Sequence, residues 1–136
     1  MSKRIPPNHP LKRRKRMTQT RSAGEVLQEL RTFCLSLPET SERGSWGHPN
    51  FVAGNKTFVT FEQFDGRPSV AFRLGPSDID RLSRDNHFFV TPYGRGQWLS
   101  RWLDPTFDWD LVKEPVITSY RLVALKRMLV ALEAQS

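Results

Sequence analysis

The residues of this chain with the chemistry to cleave, transfer or coordinate are few, and their spacing assembles no catalytic or metal-binding set. Of three histidines, His9 lies in a basic N-terminal stretch, which leaves His48 and His87. There is no His-Glu-x-x-His, Cys-x-x-Cys or Gly-x-Ser-x-Gly pattern. Gly94-Arg95-Gly96 does not continue to a third glycine at dinucleotide-fingerprint spacing, and no Gly-Lys-Ser/Thr phosphate loop occurs. His48, between Gly47 and Pro49, could serve as a general base, although a histidine in such a setting more often hydrogen-bonds the backbone and fixes a turn. Asp78 and Asp80 could touch a metal, but acids in a first helical turn are usually partners of the helix dipole. Cys34 is the only cysteine, which excludes an internal disulfide and suits a reducing compartment. It sits on an apolar helix face, where packing is the expected role. The expectation is a non-enzyme with no catalytic residue, cofactor or metal.

Basic and aromatic side chains offer more. The chain carries 21 Lys and Arg against 14 Asp and Glu, a formal charge of +7. Eight of the cations (Lys3, Arg4, Lys12, Arg13, Arg14, Lys15, Arg16 and Arg21) fall in residues 1–21, which hold no acid. The remainder has 13 basic against 14 acidic side chains, so the positive charge is confined to a tail. The run Lys12-Arg13-Arg14-Lys15-Arg16 can bind phosphate backbones or act as an address. It can equally be a solvated extension upstream of a start at Met17. Beyond the tail, Arg95 falls at the tip of a hairpin that also carries Tyr93, Trp98 and Arg101, a mixture of guanidinium and aromatic surfaces suited to phosphate contact and base stacking. Lys56 and Arg67 flank the turns of an earlier strand meander. Against this, Tyr93, Trp98 and Trp102 can simply complete a core, and a near-neutral domain lacks the basic field usual in nucleic-acid binders.

These side chains must be positioned by a small set of elements. Residues 1–20, with three prolines and a block of like charge, are expected to be disordered. Residues 21–136 are read as one domain, a normal size for a single core. Ser22-Ala23-Gly24-Glu25 is a capping-box pattern. Val26, Leu27, Leu30, Phe33, Cys34 and Leu37 then recur at helical spacing until Pro38. Phe51–Ala53, Lys56–Phe64 and Ser69–Leu74 read as three strands, with turns at Gly54-Asn55 and Asp65-Gly66. Pro68 belongs at a strand start or edge. Val70, Phe72 and Leu74 alternate with Ser69, Ala71 and Arg73, as in a strand with one buried face. Gly75-Pro76-Ser77-Asp78 opens a short helix to about Arg84. A second hairpin joins Phe88–Thr91 to Gln97–Leu103. Asp108 caps a last helical region, in which Pro115 predicts a kink or break before a long helix to about Glu133.

Several segments, taken in order, resemble the MmcQ/YjbR family: Leu37-Pro38-Glu39, Trp46-Gly47-His48-Pro49-Asn50-Phe51 and Gly54-Asn55-Lys56-Thr57-Phe58. Thr91-Pro92-Tyr93-Gly94 with Gly96-Gln97-Trp98 follows, then Asp108-Trp109 leading to Ser119-Tyr120-Arg121-Leu122-Val123. The resemblance runs from about Val26 to Leu129 and leaves the tail outside. It implies an α+β fold of two layers, α-β(3)-α-β(2)-α with an antiparallel-rich sheet, similar to the secretion-chaperone fold. The chain departs from it at Pro115 and at Leu125, where a proline after Val-Ala would be common. The resemblance also implies DNA binding through two β-hairpins shaped like wings, and it carries no catalytic residues.

The last helix suggests an alternative function. Leu122, Leu125, Leu129 and Leu132 recur at i, i+3, i+7 and i+10, opposite a face with Ile117, Tyr120, Ala124 and Ala131. That stripe is a candidate seam for a homodimer or a protein partner in a non-enzymatic, chaperone-like module. No segment approaches the length of a membrane span, and the expected location is cytoplasmic.

Overall fold

The computed structural model describes residues 21–45, 48–104 and 107–135; Lys12–Arg16 lie outside them. The described residues form α1 (Ala23–Leu35), β1 (Thr40–Ser45), β2 (His48–Ala53), β3 (Lys56–Phe64), β4 (Arg67–Arg73), α2 (Pro76–Leu82), β5 (Phe88–Val90), β6 (Trp98–Trp102), α3 (Trp109–Val123) and α4 (Lys126–Ala134). The strands make one antiparallel sheet in the order β1-β2-β3-β4-β6-β5. Among the described residues, one face of the sheet carries the helices and the other carries none. This is the expected two-layer α+β architecture.

Local signals account for most of the elements. The Ser22 hydroxyl accepts from the Glu25 amide at 3.1 Å, and the Glu25 carboxylate accepts from the Ser22 amide at 2.8 Å, closing the capping box of α1. Val26, Leu30 and Cys34 of α1 are buried. They meet Phe51, Phe72 and Leu99 of the sheet and Val112, Val116 and Tyr120 of α3 in one core. Removing a large side chain from such a site costs about 3–5 kcal/mol. Asp65 and Gly66 both have positive φ, 53° and 78°, as the tight turn between β3 and β4 requires.

A bulge shapes the sheet. Phe51 pairs with Val59 and Val52 with Thr57, so Phe58 is one residue extra on β3. Phe58 and Val59 consequently both enter the core. Thr57 is turned to the helix-free face, in line with Thr60 and Glu62.

Four expectations require correction. β1, Thr40–Ser45, precedes the anticipated three-strand meander and pairs with β2 along its whole length. Its sequence lacks apolar alternation because it is an edge strand with little to bury. β4 is buried on both faces: Ser69, Val70, Ala71 and Phe72 are all inaccessible, since on the helix-free face its small Ser69 and Ala71 lie beneath larger side chains reaching over from neighbouring segments, Tyr93 bonded to Glu62 among them. Pro115 does not break the last helical region. It is a buried residue inside α3, where it removes one backbone hydrogen bond and its ring packs into the interior. The break comes at Ala124 (φ −68°, ψ 148°) and Leu125 (φ −75°, ψ 158°), both extended. The predicted single long helix is therefore two.

Candidate nucleic-acid interface

The helix-free face is built by simple alternation. On β3 and β4 it receives Thr60, Glu62, Phe64, Arg67, Ser69 and Ala71, and on β5 and β6 Phe89, Ser100 and Trp102, as the cross-strand register requires. At one end lies an aromatic cluster. The rings of Phe89 and Trp102 stack with centroids 4.3 Å apart, and Phe64 meets both edge-on at 5.9 and 6.0 Å. All three rings are half-buried. The Arg67 guanidinium lies 4.0 Å from the centroid of the Trp102 ring and donates to Asp104 at 3.0 Å. Arg67 stays half exposed, so the stack presents a cationic plane above aromatic surface.

Towards the β1–β2 side of the sheet, Arg43, His48, Asn50, Thr57, Thr60, Glu62 and Tyr93 line a cleft of about 510 Å³. Tyr93 follows β5, and its hydroxyl donates to Glu62 Oε1 on β3 at 2.6 Å. The side chain thus reaches across β6 and β4, where small Ala71 and Ser100 leave room beneath it. Burial and the Glu62 carboxylate hold the Tyr93 hydroxyl well above the usual phenol range. Asn50 is fixed twice: its amide donates to the His48 carbonyl at 3.1 Å and its oxygen accepts from Thr60 at 2.7 Å. The segments His48-Pro49-Asn50 and Thr91-Pro92-Tyr93-Gly94, distant in sequence, converge here.

The anticipated binding residues are placed unevenly. The two hairpins are not free wings: β4 of the first pairs with β6 of the second, so both belong to one sheet. Their turns lie at opposite ends. The β3–β4 turn beside Arg67 is at one end, while Lys56 and the β5–β6 loop carrying Arg95 are at the other. Lys56, Arg67 and Arg95 are exposed but form no single track. Trp98 is half-buried, its indole lying against the Gly94 Cα. Arg101 is corrected outright. It is 3% exposed and projects to the helix-bearing face, with its guanidinium 5.7 Å from the Phe88 ring centroid. It donates to the Trp102 carbonyl at 2.8 Å. Desolvation pushes its pKa down, opposed by Asp85 and Asp104. It has no surface to offer a phosphate.

The leucine stripe is divided by the break before α4. Leu122 and Leu125 are 52% and 51% exposed, whereas Leu129 and Leu132 are partly buried against the core. They do not form one face of one helix.

Sequence reasoning missed Phe64, Phe89, Arg43 and Glu62. One signal was present: Glu62 is an acid in the otherwise apolar and β-prone run of β3, and acids are rarely buried without a partner. The aromatic cluster left no such trace, because it depends on β6 lying between β4 and β5.

A family model, YjbR, matches residues 35–122 of the chain. Among solved structures, a Deinococcus radiodurans protein with the domain DUF419 is similar. It is 19% identical, the alignment covers 88% of each chain, and the TM-score is 0.63, a likeness of fold. None of the curated proteins matches.

Proposed function

The chain belongs to the YjbR family, and from that premise we propose that it is a non-enzymatic, cytoplasmic protein that binds single-stranded nucleic acid across the helix-free face of its sheet, DNA being the form the resemblance implies. The observation that supports this reading most is the Arg67–Trp102 stack beside Phe64 and Phe89. A sheet face with partly exposed aromatic rings and a stacked guanidinium suits unpaired bases, which present π-faces and a phosphate chain together. The reading replaces paired wings with a platform, because the fused hairpins leave no separate arms to grip a duplex. Lys12–Arg16 would supply the phosphate affinity that a domain of nearly balanced charge lacks. No helix among the described residues is long and apolar enough to cross a membrane.

The test is fluorescence anisotropy of a labelled oligo(dT) with the full chain, its Arg67→Ala variant and its Trp102→Leu variant. Loss of one stacked base weakens binding about tenfold, and duplex DNA of equal length binds less tightly than the single strand. Unchanged affinity in both variants, or preference for the duplex, would refute the platform.

A second reading is supported by exposed Leu122, Leu125 and Val130 around the α3–α4 junction: a protein partner, or a second copy of the chain, seated there. Light-scattering mass of the wild type and of Leu122→Glu/Leu125→Glu decides it, a monomer in both cases counting against the homodimer.

A further inference from the structure

Resting on the nucleic-acid reading, we propose that the cleft beneath Tyr93 is a base-reading pocket that takes guanine through its Watson–Crick edge, with the Glu62 carboxylate as acceptor. Glu62 is 6% exposed. Tyr93 donates to its Oε1, and among the described residues no side chain forms an ion pair with this carboxylate or donates to its Oε2. The second oxygen is not sealed in the interior: it belongs to a residue that lines the cleft, where a ligand can donate to it. The site asks for a ligand with donors side by side.

An ionised carboxylate only accepts. Guanine presents N1–H and the N2 amine as adjacent donors, one for the open Oε2 and one for the second lone pair of Oε1, which Tyr93 leaves free. Adenine and cytosine each place a ring-nitrogen acceptor beside a single amine, and thymine or uracil flanks one N–H with two carbonyls. Each of these sets a lone pair against the carboxylate. Guanine is therefore the base the pocket selects. Arg43 and His48 line the same cleft and suit the phosphate, Arg in particular through its paired donors. Asn50 is held by Thr60 and by the His48 carbonyl, so the wall is ordered before a ligand arrives. The volume, about 510 Å³, lies within the roughly 300–1,000 Å³ of small-molecule sites.

The test is calorimetric titration of the full chain with 5′-GMP, IMP, AMP, CMP and UMP, run beside the oligo(dT) measurement. GMP binds at least about tenfold more tightly than AMP, CMP or UMP. IMP, which lacks only the N2 amine, loses most of that margin, a result that needs no variant to fold. Glu62→Gln removes the preference, and Tyr93→Phe weakens it by freeing the carboxylate to turn. Equal affinity for all five nucleotides, or no binding of any, overturns the pocket. Oligo(dT) binding without guanine preference overturns this inference and leaves the platform standing. Guanine-selective binding without oligo(dT) binding overturns the platform and leaves a pocket for free guanine nucleotides.

Discussion

The Ser119 hydroxyl of α3 donates to the Phe58 carbonyl at 2.6 Å, at the bulge of β3. The same oxygen accepts from the Arg73 amide on β4 at 3.1 Å. The ladder between these strands ends at the Val59–Phe72 pair, one residue short of the Phe58 carbonyl and the Arg73 amide. A fully buried hydroxyl from the helix satisfies both. Ser119 thus ties the helical layer to the defect that turns Thr57 into the cleft.

Replacing Ser119 by Ala strands two buried backbone groups, and the expected loss is about 1–3 kcal/mol per unsatisfied group. Urea denaturation measures it; a change within about 0.5 kcal/mol would mean that the ladder closes unaided.

Gly94 has φ +83°, and a Cβ there would overlap the Trp98 indole at Cδ1. Gly94→Ala therefore meets backbone strain and a clash together, and destabilises by at least about 2 kcal/mol. The Trp98 environment shifts with it, so the thermal midpoint falls and the tryptophan emission moves. Gly44, where a Cβ meets nothing within 4 Å, is the control.

Leu125 has φ −75°, follows an extended Ala124, and among the described residues its amide has only the Met128 sulfur as a partner, at 3.4 Å. A proline fits all three conditions. Leu125→Pro is expected to be neutral or to stabilise by up to about 1 kcal/mol, in contrast to the usual effect of proline between helices drawn as one. A thermal midpoint lowered by more than a few degrees would show that the break is not fixed in the native state.

Stability should fall in acid through Glu42. Arg31 donates to it at 2.6 and 3.0 Å, and this pairing lowers its pKa below the usual 4.5. A carboxylate whose folded value is depressed contributes its full stabilisation above the unfolded value and loses it as pH falls through the folded one. Wild type and Glu42→Gln should therefore differ at neutral pH and converge as the pH falls through the depressed folded value. A constant difference across that range would assign the effect to packing.

Neutralising Lys12, Arg13, Arg14, Lys15 and Arg16 should reduce the salt dependence of oligonucleotide binding without altering base preference. Five lost phosphate contacts on a single strand lower the log–log slope by up to about 3.5. An unchanged slope would remove the run from the interface.

What was legible in the sequence is what short-range physics decides. The capping box of α1, the positive-φ pair Asp65-Gly66 and the burial of Cys34 follow from a few neighbouring residues. So does the α+β element order, apart from β1 and the α3–α4 break. Tertiary structure decided which strands became neighbours, and that choice set everything the proposed function needs. β4 beside β6 fused two hairpins into one sheet and buried β4 on both faces. The register sent Arg101 inward and Trp102 outward, although they are adjacent in the chain. The same pairing brought Arg43, His48, Glu62 and Tyr93 to one cleft. Strand pairing is a contest among distant segments for a shared core, and its outcome turns on the total area buried and the hydrogen bonds completed. No local window contains those sums, so the elements could be read from the sequence while the platform and the pocket could not.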